Sequence, residues 1–208
     1  MLHLKLKERG YSHRNYSSKR SAYFNEATEH QLASYGTAIF NVVKRNDPRE
    51  FRRMLQAGLS PNACNPHGES LVHMVCLHGR VELFRVLVAF DVDFQQTDDY
   101  GRTPLHDACW AVAPSFEIVQ FLLKADPHLL FLYDARGSLP LSYVTKANWP
   151  QWCDFLDHNV DVLFPKNRRV KDTAPPLCSL TPNCRPVPNT KDTIPSSLAK
   201  MIASGVMT

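Results

Sequence analysis

The feature that most constrains this chain is a spacing. Gly101-Arg102-Thr103-Pro104-Leu105-His106-Asp107-Ala108-Cys109 is echoed 33 residues upstream by Gly68-Glu69-Ser70-Leu71-Val72-His73-Met74-Val75-Cys76. Ser70 stands for Thr103, Val72 for Leu105, His73 for His106 and Cys76 for Cys109. A weaker copy begins 36 residues downstream at Gly137-Ser138-Leu139-Pro140-Leu141-Ser142. Repetition at this period builds one fold from stacked units, none of which can bury its own apolar face alone. The local chemistry of the string is a turn followed by a helix. Gly101 supplies a positive φ at the turn tip, Thr103 caps the helix through its hydroxyl, and Pro104 sits just inside, where its missing N–H is no loss. Leu105, Ala108 and Cys109 then form a small apolar face that a neighbouring helix can approach closely. His106, in this setting, bonds neighbouring backbone and ties one unit to the next rather than catalysing.

The second helices of the units also align: Val81-Glu82-Leu83-Phe84-Arg85-Val86-Leu87-Val88 corresponds to Phe116-Glu117-Ile118-Val119-Gln120-Phe121-Leu122-Leu123. The pattern predicts an all-α solenoid over residues 36–164 with about four helix-turn-helix units, at about 37–62, 63–95, 96–133 and 134–164. The first lacks the turn motif and opens with Ile39, Val42 and Val43 on its inner helix. The apolar run Leu129-Leu130-Phe131-Leu132 predicts a packed connector. In the fourth unit Ser142 replaces the motif histidine, Asn148-Trp149-Pro150 reads as the inter-helix turn, and the whole reads as a degenerate cap.

Charge divides unevenly along the chain. Residues 1–36 carry six Lys/Arg against three Asp/Glu, residues 37–164 eleven against fifteen, and residues 165–208 seven against two. A body with net negative charge is a poor platform for nucleic acid, whose binding rests on neutralising phosphates. The six cysteines show no C-x-x-C pair and no metal-finger spacing, so no metal and no cofactor is expected. With no apolar run long enough to span a membrane and no secretory apolar run at the N-terminus, the reading is an intracellular, cytoplasmic or nuclear chain with free thiols, expected to be a monomer.

Residues 1–35 are read as a basic flexible arm, with Lys5, Lys7, Arg9, Arg14, Lys19 and Arg20 interleaved with Tyr11, Tyr16 and Tyr23. An organelle presequence or an RNA contact are the alternatives for this arm. From residue 165 to 208 seven prolines break any long element, so the tail is read as mostly disordered. Within it, Lys166, Arg168, Arg169 and Lys171 form a short basic cluster, and Ser196 to Ser204 reads as one short helix marginal by itself.

Residues 36–164 resemble the ankyrin repeat family, most specifically at Gly101–Ala108 and next at Gly68–Cys76. The resemblance implies a curved solenoid that binds other proteins through its turn tips and the concave face of its first helices, with no catalytic residues. Off the packing face of those helices lie Met74, Leu77, His78, Asp107, Trp110, Tyr143 and Lys146, with Tyr100 at a turn tip. Trp110 and Tyr143 are the expected anchors for a partner segment, with Asp107 and Lys146 setting its orientation. The competing reading has the insertion near Pro114 tilting Trp110 into the core. Gly68, His73, Gly101, Thr103, Pro104, Leu105, His106 and Gly137 are the structural motif. Asp98-Asp99 reads as turn chemistry rather than a metal or acid–base pair. Cys153, Asp157 and His158 lie close in sequence and could be imagined as a nucleophile set, with Cys153 expected to face inward and be inert. The function expected is a non-enzymatic adaptor. The alternatives are an RNA- or organelle-associated accessory protein, or the recognition subunit of a protein-modifying complex.

Overall fold

Several helices in this chain begin where the sequence offers a side-chain cap. The structure, a computed structural model, describes residues 2–11, 14–24, 26–166 and 194–206. In chain order it contains α1 (Leu2–Glu8), β1 (Tyr16–Ser17), α2 (Glu29–Ala33), α3 (Thr37–Arg45), α4 (Pro48–Gln56), α5 (Leu71–Leu77), α6 (Val81–Ala89), α7 (Pro104–Trp110), α8 (Phe116–Ala125), β2 (Leu132–Tyr133), α9 (Trp149–Leu163) and α10 (Ser196–Ser204). Asp47 caps α4 by accepting from the N–H groups of Arg49 and Glu50, with Pro48 at the first helical position. In α5 and α7 the cap is reciprocal, with Ser70 paired to His73 and Thr103 to His106.

Three helix pairs, α3–α4, α5–α6 and α7–α8, stack into two rows. The inner row runs α3, α5, α7 and then a 3-10 turn over Pro140–Tyr143; the outer row runs α4, α6, α8 and α9. One continuous core joins them through Ile39, Phe51, Leu71, Leu83, Leu105 and Ile118, all inaccessible to solvent. Each such side chain contributes about 1.5–3 kcal/mol when taken fully out of water. The expected packed connector is a buried 3-10 turn over Pro127–Phe131.

The fourth unit loses its inner α-helix. Leu139 and Ser142 stand where Thr103 and His106 provide the reciprocal cap, so only 3-10 turns form, at Pro140–Tyr143 and Lys146–Asn148. Trp149 and Pro150 belong to the first turn of α9 rather than to a separate inter-helix turn. Phe116 stacks on Phe155 at 4.7 Å and meets Trp152 edge-on at 5.3 Å, which fastens α9 to the third unit.

The described part of residues 1–35 is not a free arm. Leu6, Tyr11 and Tyr23 are buried, and the segment crosses the loop edge of the stack. α1 sits on α9, where Lys5 pairs with Asp157 at 2.9 Å and Arg9 with Asp161 at 2.7 Å. β1 pairs in parallel with β2, Tyr16 opposite Leu132 and Ser17 opposite Tyr133. Farther on, the buried Tyr23 hydroxyl donates to Asp126, which also accepts from Gln95 Nε2 at 2.8 Å. The sequence reading saw cations and missed that the tyrosines between them are anchors.

At the other end of the stack α10 packs on α2 and α3, burying Ala199 and Ala203. The first residues of the chain therefore close the last repeat, and its last described residues close the first. The part of the Pro-rich tail from 167 to 193, with Arg168, Arg169 and Lys171 of the basic cluster, lies outside the described residues.

Candidate partner-binding face

The face is built from three turn tips made alike. Gly68, Gly101 and Gly137 share φ values of +77°, +77° and +78°, which a side chain would strain. In each tip a polar residue braces the loop: Asn65, Asp98 and Asp134 accept backbone N–H bonds through one side-chain oxygen. The tips are also laced together, since Asp99 N–H donates to the His67 carbonyl at 2.8 Å and Ala135 N–H to that of Tyr100 at 2.7 Å. Behind them stand the two histidines. His106 Nδ1 accepts from the Thr103 N–H at 3.0 Å, leaving Nε2–H to donate to the Ser138 carbonyl in the next unit at 3.2 Å. His73 repeats this with Ser70 and the Arg102 carbonyl, at 3.3 and 3.0 Å. Both rings are held neutral: burial lowers the pKa of each, that of His106 to about 4.

On this frame lies a stack of rings and guanidinium groups. Arg102 is its hub. Its Nε donates to Asp98 at 2.6 Å and its Nη2 to Glu69 at 2.9 Å, while the guanidinium lies 5.4 Å from the Tyr100 ring centre and 5.7 Å from that of Trp110. Arg136 covers Tyr100 at 6.0 Å. Trp110 meets Tyr143 at 5.6 Å, and the Tyr143 hydroxyl donates to Asp134 at 2.5 Å. Burial, and then that bond, push the Tyr143 hydroxyl up to about 12. The rings are fixed on one side and open on the other. Trp110 keeps 46% of its surface exposed and Tyr100 54%. The tilt of Trp110 into the core does not occur: Trp110, the last residue of α7, stays open, and it is Ala111, the next in the chain, that is buried.

Other nominated residues are placed differently from one another. Met74, Leu77 and Tyr143 are half-buried, while His78 and Lys146 are exposed. Asp107 is only 4% exposed and offers no free charge to a partner. Burial raises its carboxyl to about 8 against the opposing pull of Arg102. An orienting role for Asp107 as an anion is thereby corrected. The hub Arg102 was missed. Its signal was present: Glu69 and Arg102 hold the same motif position one period apart with opposite charge. On the outer row Arg85 and Glu117 also pair between units, at 2.7 Å, though from non-equivalent positions.

The imagined nucleophile set is not assembled. Cys153 is exposed rather than inward, because Trp152, Val160 and Leu163 define the buried side of α9. Asp157 is engaged by Lys5, and His158 bonds the Asp154 carbonyl one turn back on its own helix. Among the described residues no group of three or more His, Cys, Asp or Glu side chains is placed to hold a metal ion. Among them, no helix is long and apolar enough to cross a membrane.

Residues 39–130 match the family described as ankyrin repeats (3 copies), the span of the three complete helix pairs. An ankyrin repeat protein of Pyrobaculum aerophilum is 37% identical over 71 residues, covering 34% of this chain and 26% of that protein. Protein phosphatase 1 regulatory subunit 27 of Mus musculus is 32% identical over 83 residues, 39% of this chain and 53% of that one. Its Homo sapiens counterpart is 29% identical over a span of the same length. The chain thus spans about half or less of the length of these relatives. With matching glycine tips, reciprocal histidine caps and a two-row stack, residues 39–130 of this chain form a set of ankyrin repeats.

Proposed function

We propose that the chain is a non-enzymatic adaptor that holds a segment of another protein against Tyr100, Trp110 and Tyr143. The observation that carries this reading is that large aromatic rings are rigidly fixed yet open to solvent. A ring already held by Arg102 and Asp134 loses little freedom on binding, and central aromatics of this kind supply most of an interface's energy. The ion pairs of Lys5 and Arg9 support a protein partner over RNA, because those cations are already neutralised by Asp157 and Asp161. The test is partner affinity for Trp110→Ala alongside its thermal unfolding. A loss of about 2 kcal/mol or more with the fold intact is expected; unchanged affinity in a folded variant rejects the anchor.

A second reading, that of a regulatory subunit of a protein-modifying enzyme, has support in the likeness to the phosphatase regulatory subunit. Co-purification with a protein phosphatase 1 catalytic subunit tests it, and Trp110→Ala tells whether the same face is used. Either role belongs in a reducing, intracellular setting, a reading consistent with free thiols at Cys64, Cys76 and Cys109 buried in the core.

A further inference from the structure

The end of the stack closed by α10 is a shaped receptor, and its resident helix underfills it. The fit at the centre is tight. A Cβ on Gly36 would lie 2.4 Å from the Ala203 carbonyl oxygen, and one on Gly58 2.7 Å from Ile194 Cγ2. Yet among the described residues α10 is flanked by open space on both sides. One cleft of about 490 Å³ opens past its last turn, floored by Val42, Met54 and Ala57 and walled by Ile202. Another of about 470 Å³ runs along Leu32, Tyr35 and Ser197. These volumes are in the range of ligand sites. At the mouth of the first cleft stand Arg45 and Arg53; Glu50 gives both its oxygens to Arg53, so among the described lining residues the two cations outnumber the one carboxylate and Arg45 is left without a hydrogen-bonded partner there. The same α3–α4 hairpin exposes Lys44, Arg49 and Arg52. α10 stops short of this basic mouth because Gly205, at φ +80°, ends it.

We propose that α10 is a place-holder in a groove that receives a longer amphipathic helix from a partner protein. That helix carries small residues four apart against Gly36, a large apolar side chain one turn farther for the cleft floored by Met54, and acidic residues in its final turn facing Arg45. This is recognition of a helix in a groove, with the ligand's carboxylates meeting the basic mouth. Engagement in trans expels α10, so the site stays closed until a better-fitting helix arrives. It lies at the first repeat, two helix pairs from Trp110 in the third, and does not depend on the function proposed for the Trp110 face.

The experiment compares two labelled synthetic peptides on the full-length protein. One is residues 194–206; the other, about 20 residues long, keeps 194–204 and continues the helix with Ala, Leu and then Glu. Both face the same tethered competitor, so the ratio of their affinities reads only the added contacts. The longer peptide is expected to bind at least about tenfold tighter, with the backbone amides of Lys200 and Met201 shifting to coil positions in NMR spectra. Arg45→Glu, at an exposed position, should remove most of that gain, and Ala57→Trp should block the cleft. Equal affinities, no binding of either peptide, or binding with the Lys200 and Met201 signals unmoved would each overturn the proposal.

Discussion

At the last repeat the N-terminal strap is held by named polar partners: Lys5 to Asp157, Arg9 to Asp161 and the Phe164 carbonyl, Tyr11 to the Pro165 carbonyl and Tyr23 to Asp126. At the first repeat α10 is held by shape, with Ala199 and Ala203 pressed against a surface that has glycine at Gly36 and Gly58. The two terminal segments do the same job, that of covering the open end of a stack. One depends on charge state and on satisfied buried polar groups; the other depends on volume. The difference decides how each can be opened.

Volume should give the largest effect. Gly36→Leu forces the side chain into the Ala203 carbonyl and is expected to cost about 3 kcal/mol and undock α10. Hydrogen exchange should show residues 194–206 losing protection while residues 2–11 and 14–24 keep theirs. Opening of both ends together would mean that the caps are coupled. Tyr23→Phe makes the complementary break. It removes one donor from buried Asp126 and should cost about 2 kcal/mol, exposing the strap and leaving α10 seated.

Titration sharpens the comparison further. Burial first, and then Asp126, raises the Tyr23 hydroxyl above its ordinary value of 10.0. The folded state keeps a proton that the unfolded chain loses, so this contribution is intact below pH 10 and falls as pH rises beyond it. Asp126 has the opposite sign. Burial alone would raise it, but bonds from His128, Tyr23 and Gln95 hold it below 3.8, so its contribution is present above 3.8 and is lost as pH falls through the folded value. His106 also loses stability toward acid, between 6.5 and about 4, because its folded form resists protonation. Thermal unfolding followed from pH 3 to 11 should show both limbs, and His106→Gln should shrink the decline below 6.5, leaving the share that buried His73 supplies. The residues that α10 buries, Ala199 and Ala203, do not titrate, so its docking should follow the body and add no limb of its own. The smallest effect is expected of Lys5→Ala, about 0.5 kcal/mol and screened by salt, since that pair is partly exposed.

The repeat itself was legible because its signals are local. A glycine that needs φ near +77°, a hydroxyl cap and a histidine three residues later act within one turn of chain, and the 33-residue period then placed the neighbours. The fourth unit was legible as an irregular one from Leu139 and Ser142, although the collapse of its inner helix into 3-10 turns was not. Trp110 and Tyr143 were nominated from helical spacing, but spacing could not say that Arg102 would wedge between Tyr100 and Trp110. Asp107 shows the limit most clearly. Its position marks a helix side, whereas its burial, and the raised carboxyl that follows, depend on neighbours one repeat away.

By itself, then, the sequence determined the stack: helix pairs, their caps, the turn tips and the order in which they bury one another, because each of those is set by contacts between residues one turn or one period apart. The tertiary structure alone decided where the termini go. Lys5 meets Asp157 across 152 positions, and Ala203 meets Gly36 across more, and no periodicity records such pairs. A basic, tyrosine-bearing segment and a short marginal helix read as solvated tails until the exposed ends of the solenoid are present to receive them.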